Sequence, residues 1–355
     1  MRKFDYSFLK NMMVPISFVQ MAQMIYSLKM TSEEKKRNYP KLFTSLEKIA
    51  IVQSVKSSNA IEGILSTDKR VEEIVNNSSA PLNHNEMEIA GYRDALSLIH
   101  KNHESMNINE ETILNLHKIL LSQTNLTYGG LYKTNDNVIR ETYSDGTSRI
   151  RFTPISAKDT SEAMKRLVLA YQDARDDSGI DQLILIPCFI LDFLCIHPFR
   201  DGNGRMSRLL TLLLLYKANF DISKYISFEE QINNMKGKYY EDLKKSSNGW
   251  HENQNDYIPF IENFMYTLYL CYKELDKRFL TLSSEKVSKK QRIEQIVLSS
   301  FIPISKKEIQ DLLPDISIAS IELVLSQMLK EGLITKLGTT KNSKYIKSQN
   351  TTYQT

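Results

Sequence analysis

Between His197 and Arg208 the chain places a base, a carboxylate, two glycines, an amide and three arginines in one short segment, His-Pro-Phe-Arg-Asp-Gly-Asn-Gly-Arg-Met-Ser-Arg. These are the group types that phosphoryl or nucleotidyl transfer uses. An imidazole such as His197 can take a proton from an attacking hydroxyl near neutral pH. Asp201 is a hard oxygen ligand of the kind that holds Mg²⁺ against phosphates. Gly202 and Gly204 let the main chain adopt unusual conformations and approach a ligand closely. Arg205 and Arg208, three apart, lie on neighbouring faces of a helix and can grip one polyanion.

Rigid elements must hold such a segment. Residues 183–199 are nearly apolar on all sides, which suits a buried helix, and Leu209 to Tyr216 is almost equally apolar. The polar cluster therefore reads as a loop between two core helices. The second helix opens directly after the loop, and its free N–H groups would attract an anion.

The segment resembles the signature of the Fic domain, His-Pro-Phe-x-x-Gly-Asn-Gly-Arg-x-x-Arg, with every fixed position filled. The resemblance implies that His197 is the general base and that Asp201 holds Mg²⁺ against the α- and β-phosphates of ATP. It implies an anion hole built from Gly202, Asn203 and Gly204, β- and γ-phosphate contacts from Arg205 and Arg208, and Phe199 as the anchor of the loop. Gly204 favours AMP transfer over the Doc-type kinase branch, which typically carries Lys there. The expected fold is mainly all-α, a Fic-type helical bundle with a small β-hairpin flap.

The flap is expected between Asn137 and Thr153, where two β-prone runs flank Ser144-Asp145-Gly146-Thr147. In the family this hairpin covers the site and pairs with the segment bearing the target hydroxyl, so Val138 and Ile139 are candidate target contacts. Gly130-Leu131-Tyr132-Lys133 resembles the run leading into the flap, with Lys133 where the family usually has Arg. Tyr239 and Tyr240, with Asn248, resemble the stretch that closes the nucleotide pocket.

Ser58-Asn59-Ala60-Ile61-Glu62-Gly63 puts Ser58 and Glu62 on one helical face, with a glycine stop behind them. It resembles the Ser/Thr-x-x-x-Glu-Gly/Asn motif of autoinhibited Fic proteins with an N-terminal inhibitory helix. There the Glu pairs with the second signature arginine, here Arg208, and blocks the γ-phosphate. In some relatives the same Glu positions water for removing AMP, so addition, removal or both fit the motif.

The chain has 355 residues, room for two or three domains, and 41% hydrophobic and 25% charged residues, ordinary for a soluble protein. The expected domains are 1–80 with the inhibitory motif, 81–280 as the catalytic core, and 285–350 as a winged helix-turn-helix. Helical periodicity is expected over 8–30 and 39–62, with a charged turn at Thr31 to Asn38 between them. Cys188, Cys195 and Cys271 are isolated in apolar surroundings, so neither disulfides nor zinc are indicated. The first residues lack the apolar core of a signal peptide, and the run before His197 contains Pro187 and Asp192, so a cytoplasmic protein with no membrane partner is expected.

Polar residues 283–286 read as a linker. Beyond them, helices from about Lys289 to Ser299, from Ser305 with a capping Glu308, and from Ser317 to Glu331 precede a two-stranded wing. From Glu285 onward eleven Lys and Arg stand against seven Asp and Glu, an excess equal to the chain's whole net charge of +4. Lys336, Lys341, Lys344 and Lys347 would make the wing basic, as DNA binding requires. The helix from Ser317, however, has no Arg or Lys in its first turns, which favours a protein partner over DNA. The leading reading is a protein AMP transferase acting on a Ser, Thr or Tyr hydroxyl of a target protein or itself, with a homodimer as a further option. The rival is a DNA-binding regulator whose Fic domain senses nucleotide.

Overall fold

The structure is a computed structural model that describes residues 2–142, 147–283, 288–300, 303–313, 315–338 and 343–348. The Ser144-Asp145-Gly146 turn, residues 284–286 of the expected linker and Lys341 lie outside the described residues.

Four helices open the chain: α1 (Ile16–Asn38), α2 (Pro40–Ile61), α3 (Asp68–Val75) and α4 (His84–Asn102). Thr31 to Asn38 is helical and extends α1, correcting the expected turn. Charge alone does not break a helix. No Gly or Pro intervenes before Pro40, which starts α2 at a position that tolerates its missing N–H. Lys35 and Lys36 instead reach Asp276 and Asp221.

After α5 (Glu110–Leu120), strands β1 (Ile139–Thr142) and β2 (Ser148–Phe152) pair antiparallel. The core follows: α6 (Ala157–Arg175), α7 (Gln182–Ile196), α8 (Asn203–Lys217), α9 (Phe228–Asn234), α10 (Lys236–Ser247) and α11 (Ile258–Ser283). From Leu185 to Ile196 every residue of α7 is buried, which is why that stretch is apolar on all sides. Its one carboxylate, Asp192, is fully satisfied: Arg2 (3.0 Å), Tyr6 (2.8 Å), Trp250 (2.6 Å) and Tyr257 (3.0 Å) all donate to it. Among the described residues no helix is long and apolar enough to cross a membrane.

A second core joins Ile293, Val297, Ile309, Ile321, Leu325 and Met328. It is built by α12 (Lys289–Ser299), α13 (Lys306–Leu312) and α14 (Ile318–Lys330), with β3 (Ile304–Ser305), β4 (Ile334–Leu337) and β5 (Lys344–Lys347) forming an antiparallel sheet in the order β3-β5-β4. This unit rests on α2, leaving a small cavity of about 130 Å³ lined by Leu42, Leu46, Ile296 and Leu312 among others.

Candidate active site

The loop between α7 and α8 is fixed from several sides. His197 ends α7 in the left-handed region (φ 51°), and Gly202 precedes α8 at φ 79°, a conformation that suits glycine. Phe199 is fully buried and stacks on His117 of α5, ring centroids 3.7 Å apart. Nδ1 of His117 accepts the Gly130 N–H at 3.0 Å, so its Nε2–H donates to the Asp201 carbonyl at 3.1 Å. Burial pushes the His117 pKa down to about 4, keeping the ring neutral in that role.

Asn203 closes the loop on itself. Its Oδ1 accepts from Phe199 N (2.9 Å) and its Nδ2 donates to Phe199 O (2.8 Å). The side chain expected in the anion hole is thus engaged with the loop's own peptide groups. Lys133 braces the opposite side, its N–H donating to Pro198 O (2.8 Å) and its ammonium to Ile196 O (3.1 Å) and Asn137 Oδ1 (2.8 Å). Burial lowers its pKa to about 8.

His197 lines a cleft of about 720 Å³ together with Glu62, Gly204, Arg208, Tyr239, Tyr240 and the inner side of the hairpin, Ile139 included. Its Nδ1–H points to Leu194 O at 3.3 Å, leaving Nε2 to accept a proton. Burial first, and then the positive charge of Lys133, lower its pKa to about 4, with Arg151 adding to the same effect. The imidazole is therefore neutral at physiological pH, the protonation state a general base needs.

Arg208 is buried and triply bound at the end of α2. Its Nε donates to Ser58 Oγ (2.8 Å), and its Nη2 donates to the Ser58 carbonyl (2.9 Å) and Glu62 Oε1 (2.8 Å). Burial disfavours the charged guanidinium, yet Glu62 and the neighbouring tyrosines leave its pKa raised. The stop of α2 delivers Glu62 there: Gly63 (φ 80°) donates to Ala60 O and Ile64 to Asn59 O, the paired bonds of a Schellman motif. Two turns before Glu62, the Ser54 hydroxyl donates to Glu229 at 2.8 Å, fixing the helix. A Cβ at Gly204 would lie 2.1 Å from Glu62 Oε1. The carboxylate therefore sits against the opening turn of α8, where the helix end favours an anion.

Other expected residues are placed elsewhere. Arg205 does not line the cleft. It is buried against Glu88 of α4, Nη1 to Oε2 2.6 Å, a close contact without hydrogen-bond alignment, and lies 3.8 Å from Asp201. Asp201 is about half exposed (51%), its Oδ1 accepting from Gly202 N. Asn248 caps α10 and lines a neighbouring cleft with Trp250 and His251, which meets the first at Arg151 and Phe152. Val138 is exposed outside both clefts. Three residues were not singled out as functional from sequence: His117, Arg151 and Lys244. A histidine on the apolar face of α5, between Ile113 and Leu120, was the available signal for the first.

A helical bundle with a loop at the head of a core helix, walled by a β-hairpin, defines the class. A Fic/DOC family profile matches residues 107–215. A Fido domain-containing protein of Dictyostelium discoideum is 32% identical over 117 residues, spanning 32% of this chain and 80% of that protein. The chain belongs to the Fic/DOC family. It is also similar to the protein adenylyltransferase Fic of Nematostella vectensis, 26% identical over 224 residues, 60% of this chain but only 46% of the relative's length. Among solved structures, a Fic family protein from Desulfovibrio desulfuricans shares the fold, with TM-score 0.60 and 17% identity over 96% of this chain and 99% of that one.

Proposed function

We propose that this chain is a protein adenylyltransferase, moving AMP from ATP to a Ser, Thr or Tyr hydroxyl of a target protein or of itself. Its units are an inhibitory N-terminal region (1–80), a catalytic core (81–280) and a C-terminal docking module (285–350). The observation that carries the reading is Arg208: one buried guanidinium at the head of α8, bound by Ser58 and Glu62 in the cleft that holds His197.

In this reading His197 Nε2 takes the proton of the target hydroxyl, whose oxygen attacks the α-phosphorus. The bond from that phosphorus to the bridging oxygen breaks, and pyrophosphate leaves. Tyr239 and Tyr240, 5.4 Å apart edge to face, form the wall against which the base would lie. The main-chain N–H groups of Gly202, Asn203 and Gly204 begin the anion cradle, and Arg208 holds the terminal phosphates once Glu62 has withdrawn. Asp201 is the residue that would hold Mg²⁺. A lone half-exposed carboxylate fits an ion bound mainly by substrate phosphates and water, and Mg²⁺ would neutralise those phosphates when bound.

Glu62 holds the enzyme in check by occupying Arg208. The C-terminal unit is read as a winged helix that docks protein, since the exposed face of α14 offers Ile318 and Leu323 while Glu322 pairs with Lys306. A cytoplasmic setting agrees with three free, buried cysteines. ATP labelled at the α-phosphate tests the reading. Glu62→Gly is expected to label itself or a lysate protein well above wild type, and His197→Ala in that background to abolish the label. Equal labelling of wild type and Glu62→Gly removes the inhibitory role; no label in Glu62→Gly removes the transferase.

A further inference from the structure

The hairpin carries three arginines, and its register separates them. Ile139 faces Phe152, but Arg140 faces Ile150, so β2 contributes one extra residue between those pairs. That residue is Arg151. A bulge of this kind leaves one residue without an opposite number and re-aims its side chain. Its neighbour Ile150 is 56% exposed and Arg149 is exposed, whereas Arg151 is half-buried and lines the cleft beside His197 and Tyr240.

Arg151 also differs in what it binds. Arg208 has Ser58 and Glu62, and Lys244 pairs with Glu141 at 2.7 Å. Arg151 makes no ion pair among the described residues, and its Nε is buried without a hydrogen-bond partner. A guanidinium held in a walled cleft with an unsatisfied donor is costly unless an anion completes it. Its charge is felt at His197, Tyr239, Tyr240 and Cys195 together. It shares the cleft with the base and the two tyrosines, on the hairpin wall rather than on α8, which carries Arg208.

We infer that Arg151 is a nucleotide-binding residue, delivered by the β2 bulge, that grips the α-phosphate of the substrate and holds it at His197. The inference rests on the transferase reading for its chemistry. A fork of donors at the reacting phosphoryl group would also stabilise the charge that develops there during transfer. The residue lies outside the His197–Arg208 segment, so the site takes a second phosphate-gripping arginine, beside Arg208, from the flap.

Calorimetric titration with AMP and with adenosine, in the Glu62→Gly protein, isolates the contact, because the two probes differ by the α-phosphate alone. Arg151→Met is expected to weaken AMP roughly tenfold or more while leaving adenosine unchanged, and Arg151→Lys to recover most of the loss. In single-turnover labelling, Arg151→Met should slow transfer by roughly 100-fold and move the acid limb of the pH profile upward, since a positive charge near His197 is gone. Thermal melting of both variants checks that the fold is kept. An unchanged AMP-to-adenosine ratio overturns the inference, even if target labelling falls, because the arginine would then serve the target segment. No AMP binding by Glu62→Gly overturns it too. AMP binding without any labelling sinks the transferase reading and leaves the ratio to decide Arg151.

Discussion

The loop 197–208 and the hairpin 139–152 both wall the cleft, and they are held in opposite ways. The loop is buried and tied down by Lys133, His117 and Asn203, with Phe199 sunk into the core. The hairpin has two short strands with no fully buried residue among those described, fastened by the half-exposed Lys244–Glu141 pair and by Phe152 stacked on His251. Lys133 touches both, bonding the Ile196 carbonyl on one side and Asn137 at the foot of the hairpin on the other. The difference teaches a division of labour: groups that need sub-ångström placement sit on packed helices, while the adjustable wall meets whatever enters.

Removing the anchor of the rigid wall should break the contrast most severely. Phe199→Ala deletes a fully buried ring that packs on His117, Tyr132 and Phe193. A loss of about 3–5 kcal/mol in urea melts is expected, together with loss of labelling. A cost below about 1 kcal/mol would mean that the loop is held without its core anchor.

His117 makes the rigid wall sensitive to acid. Its folded pKa is about 4 against an ordinary 6.5, so between those values the unfolded chain binds more protons. The stabilisation is complete above pH 6.5 and is lost as pH falls toward 4, up to about 3 kcal/mol. His117→Phe, which keeps a ring against Phe199, should be less stable at pH 7 through two lost hydrogen bonds but show a flatter stability profile from pH 6.5 to 4. An unaltered slope would place the acid sensitivity elsewhere.

The same contrast explains what could be read in the sequence. Local patterns were legible: the apolar runs around 197–208, the alternating strands at 139–152, and the helix stop at Gly63 that brings Glu62 forward. Their placement follows from periodicity and glycine geometry, which act over a few residues. What lies outside that range was not legible. Glu88 engages Arg205 from a helix more than a hundred positions away, Asn203 turns back on its own loop, and Asn248 falls in the neighbouring cleft. The one-residue bulge at Arg151 depends on how two strands register, which neither strand's own sequence states.

The smallest change sharpens the comparison from the hairpin side. Glu141 lies in β1 opposite Arg149 and reaches Lys244 of α10 at 2.7 Å, both side chains partly exposed. Such pairs contribute about 0–1 kcal/mol, so Glu141→Gln should barely move the melting curve, and high salt should mimic it in wild type. Because α10 also carries Tyr239 and Tyr240, the pair ties the hairpin to the helix that bears the two tyrosines. In the Glu62→Gly background, Glu141→Gln is expected to raise the KM for the protein target a few-fold while AMP affinity stays constant, since the loop is held without it. A matching loss of AMP affinity would show that the two walls move as one body.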